Sequence, residues 1–212
     1  MRRFSSAINK FIQIYYDAKP VPRWLGIPSF QTPTDNWTMQ EIITEVKPDF
    51  IIETGTLYGG TALFYASVLG MVNKDAKVLT VDVNPQVDQA SKLKLFRERI
   101  EVIKGGSVSP EVTNRIAARV KNRRVLVTLD SLHTKKHVLK EMKLYCNFVS
   151  VGSYMVVQDT IINGHPVLPD FGGGPMEAIE EFLRGRNDFT IDHERERFLL
   201  TFYRSGYLKK IK

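Results

Sequence analysis

The run Glu53-Thr54-Gly55-Thr56-Leu57-Tyr58-Gly59-Gly60 places an acid, several hydroxyl groups and three glycines between an apolar strand candidate and an apolar helix candidate. Glycine allows a sharp turn and a close approach of backbone to ligand, and a helix N-terminus offers free N–H groups, so the run reads as a cofactor loop. Its spacing is not Gly-x-Gly-x-x-Gly, and no Lys-Ser/Thr pair follows, which argues against a dinucleotide pyrophosphate and against a P-loop. An acid at the end of the first strand suits a ligand with a cationic amino group, as S-adenosylmethionine has. Asp82 closes the next strand candidate, where a carboxylate can accept both ribose hydroxyls of a nucleoside cofactor. Gly105-Gly106-Ser107 follow the third, where an adenine ring would lie.

A second constellation lies further on. Asp130 ends the fourth strand candidate, and Asp159 follows the fifth, so both carboxylates emerge at the carboxyl edge of a parallel sheet, where open α/β folds bind ligands. Oxygen donors of this kind suit Mg²⁺, which takes one or two carboxylates and keeps waters. A cation there would orient a substrate hydroxyl and lower its pKa. His133, in Asp130-Ser131-Leu132-His133-Thr134, is placed to act as general base. His133 and His137 are spaced i, i+4, but without His-Glu-x-x-His or a third ligand they do not make a zinc site, and His137 is expected on a helix surface.

The elements that must hold these residues are legible as apolar runs alternating with amphipathic stretches, the pattern of a helix-covered parallel sheet. Strands are expected at 49–53, 77–83, 100–103, 124–130 and 152–158, with helices at 60–72, 85–98, 109–120 and 135–145. After a helix at 175–184, strands at 189–193 and 197–203 read as a closing hairpin, giving seven strands in all. Residues 1–48 read as an N-terminal helical cap, with helices near 5–17 and 37–46, on a domain spanning 49–212. The Gly- and Pro-rich loop from Asn163 to Pro175 has the composition of a lid over the substrate. Phe4, Ile8, Phe11, Ile12 and Tyr15 form an apolar stripe on the first helix, available to the protein's own core or to a second subunit in a homo-oligomer.

The chain has 212 residues, 43% hydrophobic and 25% charged, which suits one folded unit with a sizeable core. Its net charge is +7, but the short basic clusters at 121–124 and 209–212 come with no nucleic-acid motif and read as solvated surface. No apolar run approaches the roughly 20 residues of a membrane span. The Met1-Arg2-Arg3 start lacks the apolar core of a secretory signal, so a cytoplasmic setting is expected. A single cysteine, Cys146, reads as a packed helix residue.

Trp24-Leu25-Gly26, Gln31-Thr32-Pro33-Thr34-Asp35-Asn36-Trp37, Gln40-Glu41-Ile42, Pro48 to Gly60, Leu129 to Thr134, His137-Val138-Leu139, Gly152-Ser153-Tyr154, Gln158-Asp159-Thr160 and Gly206-Tyr207-Leu208 together make the chain, from Trp24 to Lys209, resemble the cephalosporin hydroxylase/rhamnosyl O-methyltransferase family. The resemblance implies a Rossmann-like, seven-stranded α/β fold and S-adenosylmethionine-dependent O-methylation of a small-molecule or sugar hydroxyl. Cofactor contacts are then expected from Glu53, Thr54, Gly55, Tyr58, Gly59, Gly60, Asp82, Ser107 and Asp130, catalysis from Asp130 and His133, and metal binding from Asp130, Gln158 and Asp159. The family usually has Glu-Asp where this chain has Gln158-Asp159. One carboxylate charge is therefore lost, and Mg²⁺ affinity should fall. No facial triad of two histidines and a carboxylate supports a hydroxylase reading.

Overall fold

In the computed structural model, which describes residues 5–212, strands of Val, Ile and Leu alternate with helices whose apolar faces cover them. The parallel strands are β3 (Phe50–Thr54), β4 (Lys77–Asp82), β5 (Ile100–Lys104), β6 (Val125–Leu129) and β7 (Tyr154–Val157), and β8 (Phe189–Ile191) and β9 (Tyr207–Lys210) close the sheet. The order is β5-β4-β3-β6-β7-β9-β8, with β9 antiparallel to both neighbours. This is the seven-stranded architecture expected above. The chain reverses direction from β3, passing first outward through β4 and β5, then back to β6 and β7. The edge beyond β3 and β6 is therefore the switch point where ligands of such sheets bind.

Helices α3 (Gly60–Val72), α5 (Pro110–Val120) and α6 (Lys135–Tyr145) fall where the apolar spacing puts them, and α7 (Pro175–Leu183) precedes the antiparallel pair. Ser109 caps α5 by accepting from Val112 N, followed by Pro110 at the first helical position. The stretch 85–98, expected as one helix, is instead a short 3₁₀ turn at Ala90–Lys92 and then α4 (Lys94–Arg99). Leu93 between them is extended, and the Arg97 guanidinium caps the Ser91 carbonyl.

The expected strand at 197–203 is not one; β9 lies at Tyr207–Lys210 instead. The apolar side chains of 197–203 serve another purpose. Phe202 packs edge-on against Tyr15, and the backbone N–H of Phe202 donates to Asp35. Asp35 is buried in α2 (Pro33–Val46) and also accepts from Thr32, Thr201 and Tyr207, so one carboxylate staples the N-terminal segment to the C-terminal one. Burial pushes its carboxyl up to about 6, against the pull of these hydrogen bonds.

The N-terminal segment also carries α1 (Ser5–Ala18) and a two-stranded ribbon, β1 (Arg23–Trp24) with β2 (Ile27–Pro28). Met39, Ile42, Ile43 and Val46 of α2 share one core with Ile51 of β3 and Leu63, Tyr65 and Leu69 of α3. The α1 stripe divides: Ile12 is buried against Ile161, Ile162 and Val167 with Ile8 beside it, while Phe11 stays exposed. Phe4 and the Met1-Arg2-Arg3 start lie outside the described residues. Cys146 is buried just after α6. Among the described residues no helix is long and apolar enough to cross a membrane.

Candidate active site

The hydrogen-bond ladder runs past the strand ends and fixes the loops that follow. Gly55 N donates to Val81 O (2.8 Å), Gly105 N to Asp82 O (2.9 Å), Asp130 N to Thr54 O (3.0 Å) and Gln158 N to Leu129 O (3.0 Å). These loops enclose a cleft of about 610 Å³. Gly55, Tyr58, Gly60, Asp82, Ser107 and Asp130 line it, together with His133 and Asp159, so six of the nine expected cofactor residues and both expected catalytic residues meet in one cavity.

Glu53, Thr54 and Gly59 do not line it. Glu53 and Thr54 belong to β3, the central strand, and are buried in the sheet, while Gly59 sits behind the loop against Phe96. Glu53 reaches the cavity indirectly, since Thr80 donates to it and Thr80 is bonded at 2.7 Å to Thr56, a lining residue. Burial pushes the Glu53 carboxyl from 4.5 up to about 8, helped by the Asp82 charge, so it holds a proton at neutral pH. The folded state therefore binds that proton more tightly than the unfolded chain. Its stabilising contribution is complete below pH 4.5 and is lost as pH rises through about 8. Glu53→Gln should flatten the fall in stability across that window, raising unfolding free energy at alkaline pH by on the order of 3 kcal/mol. Urea melts of both proteins at pH 5 and pH 9 would show it, and parallel pH dependence would disprove it.

The glycines are required for a reason other than ligand approach. A Cβ on Gly55, whose φ is +93°, would lie 1.9 Å from the Asp130 carbonyl oxygen, and one on Gly60 would lie 2.0 Å from the Pro28 carbonyl oxygen. Protein backbone, from β6 and from the ribbon, crosses the loop at both points. Asp82 closes the loop from the other side. Its carboxylate accepts from Leu57 N (2.9 Å) and Asn84 N (2.8 Å), so a residue that caps the turn also lines the cavity.

At the other end of the cleft, His133 Nε2 lies 3.2 Å from Asp159 Oδ2 and 3.9 Å from Asp130 Oδ1. Ligand atoms of the three groups all lie within 4.8 Å of one another, a donor set that fits a divalent cation. Asp159 is held there with φ +53°, a left-handed conformation that Asp tolerates and that turns its carboxylate back over the strand ends. Burial, then the charges of Asp159 and Glu53, push the Asp130 carboxyl well above the usual carboxylate range, while a hydrogen bond from Gln31 opposes this. Burial raises Asp159 too, with His133 opposing. A cation between the two carboxylates would take the place of the proton that such crowding favours.

Gln158 is not directed at this cluster. Its Oε1 accepts from Gln31 Nε2 (2.9 Å) and Tyr203 Oη (3.0 Å), and its Nε2 donates to Tyr65 Oη (3.3 Å). With both lone pairs so engaged, the amide braces the interior, and His133 stands in the third position of the cluster expected for Gln158. Gln31 donates at once to Gln158 and to Asp130 Oδ2 (3.1 Å), a contact across 99 positions that no motif signals. Sequence reasoning also missed Pro28 and His137 as lining residues. The expected lid lies elsewhere: no residue of 160–175 lines the cavity, Ile161, Ile162 and Val167 pack on α1, and Glu177 holds Gly174 N, Asn163 and His165.

Known proteins resemble this chain in sequence and fold. The family model for rhamnosyl O-methyltransferase/CmcI covers residues 18–211. The chain belongs to that family. It is an S-adenosylmethionine-dependent O-methyltransferase. The rhamnosyl O-methyltransferase of Mycobacterium leprae is 40% identical over 191 residues, spanning 87% of this chain and 81% of that protein. That of Mycobacterium tuberculosis is equally similar, with 76% of it covered. Among solved structures, the Mg-SAM form of CmcI superposes with a TM-score of 0.67 at 15% identity, over 90% of this chain and 77% of that one. An O-methyltransferase from Bacillus cereus in complex with SAH gives 0.58 at 14%, over 97% and 91%. At these identities the two structures establish the shared fold.

Proposed function

We propose that this O-methyltransferase acts on a hydroxyl of a sugar unit, with His133 as general base and Asp130 and Asp159 as the carboxylates that orient the acceptor. The observation that carries this reading is the 3.2 Å contact between His133 Nε2 and Asp159 Oδ2 in the same cleft as Asp82 and Ser107. Asp159 accepts from Nε2–H and fixes the ring, which leaves Nδ1 with the lone pair that takes the acceptor proton. Asp130, braced by Gln31, receives the hydroxyl from the opposite side. When bound along Gly55, Asp82 and Ser107, S-adenosylmethionine supplies an already reactive methyl group, so the residues of this chain contribute mainly position and proton transfer. Asp130 and Asp159 would hold Mg²⁺, whose charge favours the deprotonated hydroxyl. The sugar class follows from the rhamnosyl O-methyltransferases at 40% identity.

The test is calorimetry with S-adenosylhomocysteine and Mg²⁺ on the native chain and on Asp159→Asn, followed by methyl transfer to rhamnosides. Micromolar binding of the nucleoside without metal is expected. Mg²⁺ should bind to the native chain and at least roughly tenfold less tightly to the variant, where a carboxylate charge of the cluster is removed. Absence of nucleoside binding would sink the whole reading. Binding without transfer to any sugar hydroxyl would sink the acceptor class alone.

A further inference from the structure

Beyond the acceptor end of the cleft, the opposite wall holds a polar cluster to which the reading above gives no role. His137 of α6 lines the cavity next to Gly105, Gly106 and Ser107. Its Nε2 lies 3.1 Å from Ser131 Oγ, 3.2 Å from Ser107 Oγ and 3.4 Å from Glu141 Oε1. Glu141 is one helical turn further along and fully buried. Its Oε1 accepts the Ser131 hydroxyl at 2.7 Å, and its Oε2 has no partner among the described residues. The Ser107 carbonyl is pinned by Tyr145 Oη at 2.8 Å. Such an investment of buried polar groups fixes the orientation of one ring at a cavity wall.

The hydrogens follow from the partners. A carboxylate only accepts, so the Ser131 proton goes to Glu141, and the Ser131 oxygen is left to accept. Nε2 therefore carries the proton of the neutral imidazole and donates inward, towards Ser131 and Glu141. In that tautomer Nδ1 is an acceptor. Nδ1 has no hydrogen-bond partner among the described residues and belongs to a ring that lines the cavity, which leaves it the atom available to a ligand there. A fixed acceptor at this point calls for a ligand donor, and the loop beside it follows β5, the strand next to the one that presents Asp82 to the ribose.

We infer that His137 is an adenine-reading residue: its Nδ1 accepts from the exocyclic amino group of the cofactor base, and Ser131 and Glu141 position it by holding Nε2–H. The inference rests on the reading of this cleft as the S-adenosylmethionine site. It makes the protein selective for a 6-amino purine, because a 6-oxo purine would set a carbonyl oxygen against the Nδ1 lone pair.

The experiment compares S-adenosylhomocysteine with S-inosylhomocysteine by calorimetry on the native chain, His137→Ala and His137→Asn. The native chain should prefer the adenosine compound by roughly tenfold or more. His137→Ala should lose roughly three- to tenfold in affinity for the adenosine compound, little for the inosine compound, and with it most of the preference. His137→Asn, which can restore an oxygen acceptor near the Nδ1 position, should recover the preference. Equal weakening of both ligands by His137→Ala, or equal binding of both by the native chain, overturns the inference while leaving the cofactor reading intact. Failure of the native chain to bind S-adenosylhomocysteine at all would instead remove the reading on which it rests.

Discussion

Asp130→Asn should lower kcat for methyl transfer by about a thousandfold or more while leaving the dissociation constant of S-adenosylhomocysteine within about threefold. The substitution is isosteric and keeps an oxygen that can accept from Gln31, so neither the loop beside Gly55 nor the brace to Gln158 is disturbed. What it removes is charge. Asp130 and Asp159 are the two carboxylates of the cluster with His133, and a neutral amide there holds a hard cation more weakly and cannot draw a hydroxyl proton into place. Single-turnover rates paired with calorimetry on the same preparation check this. A parallel loss of rate and nucleoside affinity would place Asp130 in the cofactor site and leave orientation of the acceptor to Asp159 and His133.

Gly55→Ala should be the most damaging substitution of a single small residue, with a loss of roughly 3–5 kcal/mol. Two costs coincide at this position. The φ of +93° is one that a side chain resists, and the added methyl would sit 1.9 Å from the Asp130 carbonyl oxygen. For a chain of this length the melting temperature should drop by about 10 °C. Nucleoside affinity and turnover should fall together, because relief requires β3 and β6 to part beneath both halves of the cleft. Gly106→Ala serves as the control, since a Cβ there meets nothing within 4 Å. Equal stability of the two variants would show that the loop yields easily and that backbone crossing does not explain the glycine.

The parallel strands, α3, α5 and α6 were legible because their apolar runs answer only to the nearest layer of the fold. The same rule failed at 197–203. There Phe198, Leu199, Leu200 and Phe202 look like a strand but decorate an irregular segment anchored on Asp35, while the true strand, β9, ends in two lysines. Lys209 Nζ bonds Glu45, and Lys210 Nζ caps the carbonyls of Cys146 and Val149, so these charges belong to the sheet rather than to a solvated tail. In the site, Asp82, Asp130, His133 and Asp159 could be found because each follows a strand end. Gln31, Glu141 and the role of Gln158 could not, since each is defined by a partner brought close only by folding. His137 was visible as a residue but read as surface, because the buried carboxylate behind it has no signature beyond its i+4 spacing. Glu53 is misplaced in depth by sequence reasoning: near the end of a central strand it faces the sheet interior, and its link to the cavity runs through Thr80 and Thr56.

The crossing of the Pro28 carbonyl over Gly60 bears on attempts to change what this enzyme methylates. Exchanging residues 1–48 for the equivalent segment of a relative would appear the natural route to a new acceptor. Yet that segment lies over the start of α3 and delivers Gln31 to Asp130, so a graft that altered either contact would retune the reaction centre along with the acceptor pocket. Selectivity and chemistry are inherited together here, and redesign has better prospects from the rim side chains Phe30, Leu57 and Leu132, which line the cleft without crossing its floor.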